Sequence, residues 1–78
     1  MSNVEIKKLA DTLSDIYIEN EDDFLDAYEK CPDITNVRDG YIVGRLCDVY
    51  REAKTGVIDR DTARERQNQI FEEAKQFG

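Results

Sequence analysis

Seven carboxylates, Asp11, Asp15, Glu19, Asp22, Asp26, Glu29 and Asp33, recur four, four, three, four, three and four residues apart. Acids in such number could trade protons with a substrate, cage a cation, or present negative charge to a positive partner. Proton transfer needs a carboxyl whose pKa has been raised in a desolvated pocket, and a helical domain of 78 residues has little room for one. The chain also has no histidine, the usual acid-base group near neutral pH. Its serines, Ser2 and Ser14, fall in a helix cap and on a helix, outside any GxSxG elbow. An enzyme is therefore not expected, and no residue is assigned as catalytic.

Cation binding fares no better. Glu19-Asn-Glu-Asp-Asp23 is rich in oxygen, but no window of the chain has the alternating ligands, sixth-position glycine and twelfth-position glutamate of an EF-hand loop. Without histidine, and with fifteen residues between Cys31 and Cys47, a zinc site is not expected either. No metal or cofactor is assigned. The two thiols are read as reduced and mostly buried, because free cysteine behaves as a small hydrophobe; a disulfide joining two helices is the other reading.

Charge presented to a partner remains. From Asp11 to Asp33 nine acids stand against one base, Lys30, whereas from Ile34 onward eight acids balance eight bases. At about 100° per residue the seven spaced acids share one helical face, opposite the apolar arc. Like charges three and four apart repel by about tenths of a kcal/mol per pair, so helix stability alone does not favour the arrangement. The acids either keep a small protein in solution or form a ridge that engages a positive groove, with affinity that falls as salt rises. On the second reading the partner-binding residues are Asp11, Asp15, Glu19, Asp22, Asp26 and Glu29, and Tyr17, Leu25 and Tyr28 on the flanks add apolar contact. Arg51, Lys54, Arg60, Arg64 and Arg66 form a second, basic surface interleaved with acids. They are read as local ion pairs, or as a surface for the acidic ridge of a second copy.

The elements that must carry these residues are helices. Ser2-Asn-Val-Glu5 fits a capping box, and Ile6, Leu9, Leu13, Ile16 and Tyr17 follow at helical spacing. Phe24, Ala27, Tyr28 and Cys31 continue on the same arc, which favours one helix from about Asn3 to Lys30, stopped by Pro32, with Asn20 facing the core. The alternative is a break near Asn20, where Asn20-Glu-Asp-Asp23 reads as a helix cap followed by acids. Asp33 to Asn36 is turn material with three candidate caps. Ile42, Leu46, Val49, Tyr50 and Ala53, with Val43 and Cys47 beside them, then give a central helix of wide apolar arc. Lys54-Thr55-Gly56 closes it, and Asp59 caps a last helix whose inner stripe is Ala63, Gln67, Ile70, Phe71, Ala74 and Phe77. The expectation is an all-α bundle of three helices, or four if the first divides, in one domain spanning residues 1–78. Gly40-Tyr-Ile-Val-Gly44 matches GxxxG: the glycines either admit a neighbouring helix or, with Tyr41, form a homodimer contact.

A net charge of −7 repels phosphate backbones and anionic lipid, so direct binding to nucleic acid or membrane is not expected. No apolar run approaches a membrane span, and the start lacks the apolar core of a signal peptide, which makes the cytoplasm the expected location. In size, acidity and helical content the chain resembles the small phage-encoded inhibitors of host defence nucleases, the anti-CRISPR proteins among them, some of which imitate nucleic acid. That resemblance implies an inhibitor acting on a basic, nucleic-acid-binding site of a partner protein. The rival expectation is a homodimeric assembly or regulatory module whose acids serve only solubility.

Overall fold

The computed structural model describes residues 1–77 and is all-α: α1 (Asn3–Glu19), α2 (Glu21–Glu29), α3 (Val37–Lys54) and α4 (Arg60–Ala74), followed by a short 3-10 turn (Lys75–Phe77). α1 starts where Ser2 Oγ accepts from the Glu5 amide at 3.2 Å. The Glu5 carboxylate accepts from the Ser2 hydroxyl at 3.0 Å rather than from the Ser2 backbone amide that a full capping box engages.

The favoured single helix to Lys30 is corrected at Asn20. Its backbone leaves helical geometry (φ −160°, ψ 115°), and its side chain accepts from the amides of Asp22 at 2.9 Å and Asp23 at 3.4 Å. Asn20 is exposed at the joint rather than facing the core. An asparagine that satisfies two otherwise unpartnered amides, followed by three acids at the positive end of a helix dipole, outweighs one continued turn.

α3 is the central element and carries seven buried residues, among them Ile42, Val43, Leu46, Cys47 and Val49. α1 contributes Ile6, Ala10 and Leu13 to the same core, α4 contributes Ile70 and Ala74, and α2 contributes Phe24. Truncating a fully buried side chain such as Ile42 or Leu46 to alanine costs about 2–5 kcal/mol in cores of this kind. α3 begins at Asn36, whose Oδ1 accepts from the Asp39 amide at 2.8 Å. It ends at Gly56 (φ +81°), where the Gly56 amide donates to Ala53 and the Val57 amide to Glu52, a Schellman closure that requires the left-handed glycine. Asp59 caps α4 by accepting from the Thr62 amide at 2.7 Å, which also holds its carboxyl below the ordinary value.

Two polar devices lock the helices together. Asp39, 2% exposed, receives the Met1 ammonium at 3.1 Å, the Asn36 side-chain amide at 3.2 Å and Arg38 at 3.4 Å, so its buried charge is matched from three directions. At the other end of α3 the Lys54 ammonium sits among Asp11 Oδ1 (2.8 Å), Asp15 Oδ1 (2.8 Å), Ser14 Oγ (2.9 Å) and the Asp11 carbonyl (3.0 Å). Desolvation alone would lower the Lys54 pKa, but the hydrogen bonds and charges of Asp11 and Asp15 outweigh it and the net shift is upward.

Candidate functional site

The break at Asn20 divides the expected ridge. Asp11 and Asp15 belong to α1 and are claimed by Lys54 of the same chain. Glu19 ends α1, Asp22, Asp26 and Glu29 lie on α2, and Asp33 lies in the following loop, all exposed. One continuous face from Asp11 to Asp33 is thus corrected to a shorter acidic surface centred on α2.

What aims that surface is a set of rings on the opposite side of α2. Phe24 stacks on Tyr17 of α1 with ring centroids 4.4 Å apart and planes 16° apart, and it meets Tyr28 at 5.9 Å. The Arg51 guanidinium lies 4.5 Å from the Tyr17 ring centre, so the stack is capped from α3 by a cation. Tyr28 reaches α3 and donates its hydroxyl to the Gly40 carbonyl at 2.5 Å. A Cβ at Gly40 would stand 3.2 Å from the Tyr28 hydroxyl, and one at Gly44 would stand 3.5 Å from it. The GxxxG pair therefore seats a side chain of α2, and Gly40 and Gly44 turn their bare faces to Tyr28 within the same molecule. Tyr17 and Tyr28, read as flanking contacts for a partner, are internal: both are partly buried and pack against the core.

With its rings turned inward, α2 turns Glu21, Asp22, Leu25, Asp26 and Glu29 outward. Leu25 is 48% exposed. On a helix its near neighbours are the residues three and four positions away, here Glu21, Asp22, Tyr28 and Glu29, so carboxylates stand at three of the four positions around an apolar side chain. Among the described residues α2 has one ion pair, Asp26 with Lys30 at 2.9 Å, and both side chains are well exposed. A hydrogen bond to Asp26, then the charges of Asp26 and Glu29, raise the Lys30 pKa above its ordinary value. Between Glu19 and Asp33 seven acids thus meet a single base. The carboxylates of this surface are exposed to solvent. They can bind cations of the lysine and arginine kind, as Asp11 and Asp15 do within the molecule.

Tyr41, the remaining candidate dimer contact, reaches from α3 to α4 and the turn after it. Its hydroxyl donates to Glu73 at 3.0 Å and accepts from Arg45 at 2.6 Å, and its ring lies 4.8 Å from that of Phe77. The basic surface resolves in part into ion pairs, Lys54 with α1 and Arg66 with Glu52 at 2.8 Å. Cys31 is partly exposed and Cys47 buried, and both are free thiols. No group of three or more potential ligand side chains converges on a metal position among the described residues. Among those residues no helix is long and apolar enough to cross a membrane.

Sequence reasoning missed Asp39 and Lys54 as structural anchors. Asn36 and Asp39 carry the spacing of a capping box, which could have flagged Asp39, but a lysine that closes on acids 39 and 43 residues away leaves no local trace. No protein-family model, curated protein or solved structure matches the chain, so the functional reading rests on this surface alone.

Proposed function

We propose that the protein is a non-enzymatic binding protein whose α2 surface occupies a basic site on a partner protein, a site of the kind that otherwise holds nucleic acid. The observation that carries this reading is the outward row of α2: Glu21, Asp22, Asp26 and Glu29 around an exposed Leu25, with only Lys30 to offset them. Carboxylates spaced this way gain little from one another and much from lysines or arginines brought by a partner. The leucine supplies the apolar contact that excludes water from such an interface. Electrostatic attraction of this type sets the rate of encounter and is screened by salt. Asp11 and Asp15, already held by Lys54, contribute to stability rather than to binding.

The test is a pair of matched affinity columns, one bearing the natural chain and one bearing Asp22→Lys with Asp26→Lys, challenged with the same host lysate. A protein retained by the first column, lost from the second, released at about 0.5 M salt and displaced by duplex nucleic acid is the expected result. If every retained protein binds both columns equally, while circular dichroism shows the same helicity for both chains, the reading is wrong. The companion variant Asp11→Asn with Asp15→Asn is expected to lower thermal stability and leave retention unchanged.

A further inference from the structure

We infer that the joint at Asn20 lets two copies of the chain exchange α1: the joint straightens, α1 and α2 become one helix, and α1 of each molecule docks on α3 of the other. The inference is independent of the binding role of α2. The surface that receives α1 is no bare face but the seat α1 already fills within one molecule, so the contacts that hold the second copy are the ones seen here.

The joint is the first ground. Asn20 is the one residue outside helical geometry between α1 and α2, and the helical ladder persists on both sides of it: the Asn20 amide donates to the Ile16 carbonyl at 2.9 Å, and the Phe24 amide donates to the Asn20 carbonyl at 3.1 Å. Only the amides of Glu21, Asp22 and Asp23 leave the ladder, and the Asn20 side chain holds two of them. Returning one residue to helical φ and ψ therefore exchanges two cap bonds for three ladder bonds. Ile6, Leu13, Phe24 and Tyr28 then fall on one arc, so the straight helix keeps an apolar stripe along its whole length.

Connection length is the second ground, and it names the occupant. In one molecule α2 runs back along α1: Phe24 stacks on Tyr17, and Asp33, past the end of α2, lines the same hollow as Lys8 and Thr12. α1 runs beside α3 in the same direction, with Met1 at Asp39 and Asp15 at Lys54. If the joint straightens while Tyr28 keeps α2 on α3, α1 swings away from its own α3. If α1 stays in place instead, Glu29 lies about 39 Å from Asn3. Residues 30–36, fully extended, span at most about 29 Å to Val37, too short to return the start of α3 to Met1. Straightening thus empties the α1 seat, and the segment shaped to fill it is α1 of a second copy. Glu19, Glu21, Asp22 and Asp23 of both copies meet near the two Asn20 joints, so low salt opposes the exchange.

The test mixes isotope-labelled and unlabelled full-length chains in urea, refolds them together at about 10 and 500 μM in about 0.5 M salt, and separates monomer from dimer by gel filtration. A water-soluble carbodiimide then joins Lys54 to Asp11 or Asp15, which it touches at 2.8 Å. The expected result is a dimer fraction, larger at the higher concentration, whose linked peptides include labelled-to-unlabelled pairs, while those of the monomer pair within one chain. Asn20→Ala removes the cap and suits a helix interior, so it should raise the association constant by about a hundredfold, roughly tenfold for each chain. Asn20→Gly keeps most of the cap geometry and disfavours a continuous helix, so it should not raise association at all. Circular dichroism checks that both variants fold. No dimer from Asn20→Ala at about 500 μM, a dimer whose linked peptides all pair within one chain, or equal association of the alanine and glycine variants would overturn the inference.

Discussion

Cys47 and Cys31 show how far environment separates two identical side chains. Cys47 is fully buried on α3 with its thiol 3.6 Å from the Ala10 carbonyl, and burial first, then the Asp48 charge, against the opposing pull of Lys54, push it from an ordinary 9.0 up to about 12. Cys31 sits partly exposed after α2. A thiol reagent at pH 8 should therefore label one cysteine of the native protein at once, identified by peptide mapping as Cys31, and label Cys47 only in denaturant. Equal labelling rates would contradict the packing of α3 on α1. The same shift has a consequence for stability. The native thiol holds its proton more tightly than the unfolded one, so stability falls as pH climbs from about 9 toward 12. Tyr28, Tyr50 and Lys54 are also raised and push in the same alkaline direction. Cys47→Ala should delay the alkaline unfolding midpoint, measured by far-ultraviolet circular dichroism, which tyrosine ionisation does not mimic.

At the scale of elements, the caps and terminators were legible and the number of helices was ambiguous. Ser2, Gly56 and Asp59 act as their chemistry foretells, because each exerts its effect within four residues of its own position. The phase of the apolar residues pointed to one helix through Asn20 since Phe24, Ala27, Tyr28 and Cys31 stay on the arc of Ile6 and Leu13. Phase continuity is weak evidence across a one-residue break: two helices that pack on the same core each need an inner stripe, and the stripes can coincide. Removing the cap with Asn20→Ala should cost about 1 kcal/mol in urea unfolding. Gly44→Ala should do the reverse. The added methyl meets Tyr28 at ordinary contact distance, 3.5 Å, and helix propensity then favours alanine by roughly 0.8–1 kcal/mol. Gly40→Ala should not share this gain, as its methyl would press on Tyr28 and Ile34 at 3.2 and 3.3 Å.

The molecule as a whole is a slab with Cα extents of 33 × 27 × 16 Å, thin enough that most residues touch solvent and few can be fully enclosed. That all-α character, set by apolar spacing of three and four, was readable from the chain. The distribution of charge in space was not, because Lys54 and the acids it neutralises are brought together only by the docking of α1 on α3. Self-repulsion at a net charge of −7 should make stability rise with ionic strength. Raising sodium chloride from about 0.05 to 0.5 M is expected to lift Tm by a few degrees. A fall in Tm would mean that the ion pairs of Lys54 and Asp39 outweigh the repulsion they oppose.

The shallow hold of α2 has a further consequence. Phe24 is its one buried residue, against seven in α3, and its grip on the molecule includes one stacked ring pair, one tilted pair and one phenol hydrogen bond. Amide protons of α2 should accordingly exchange with deuterium through a low-energy local opening, while those of α3 wait for global unfolding. The acidic helix would behave as a compliant pad on a stiff base, able to settle against surfaces of different curvature at little cost to the rest of the molecule.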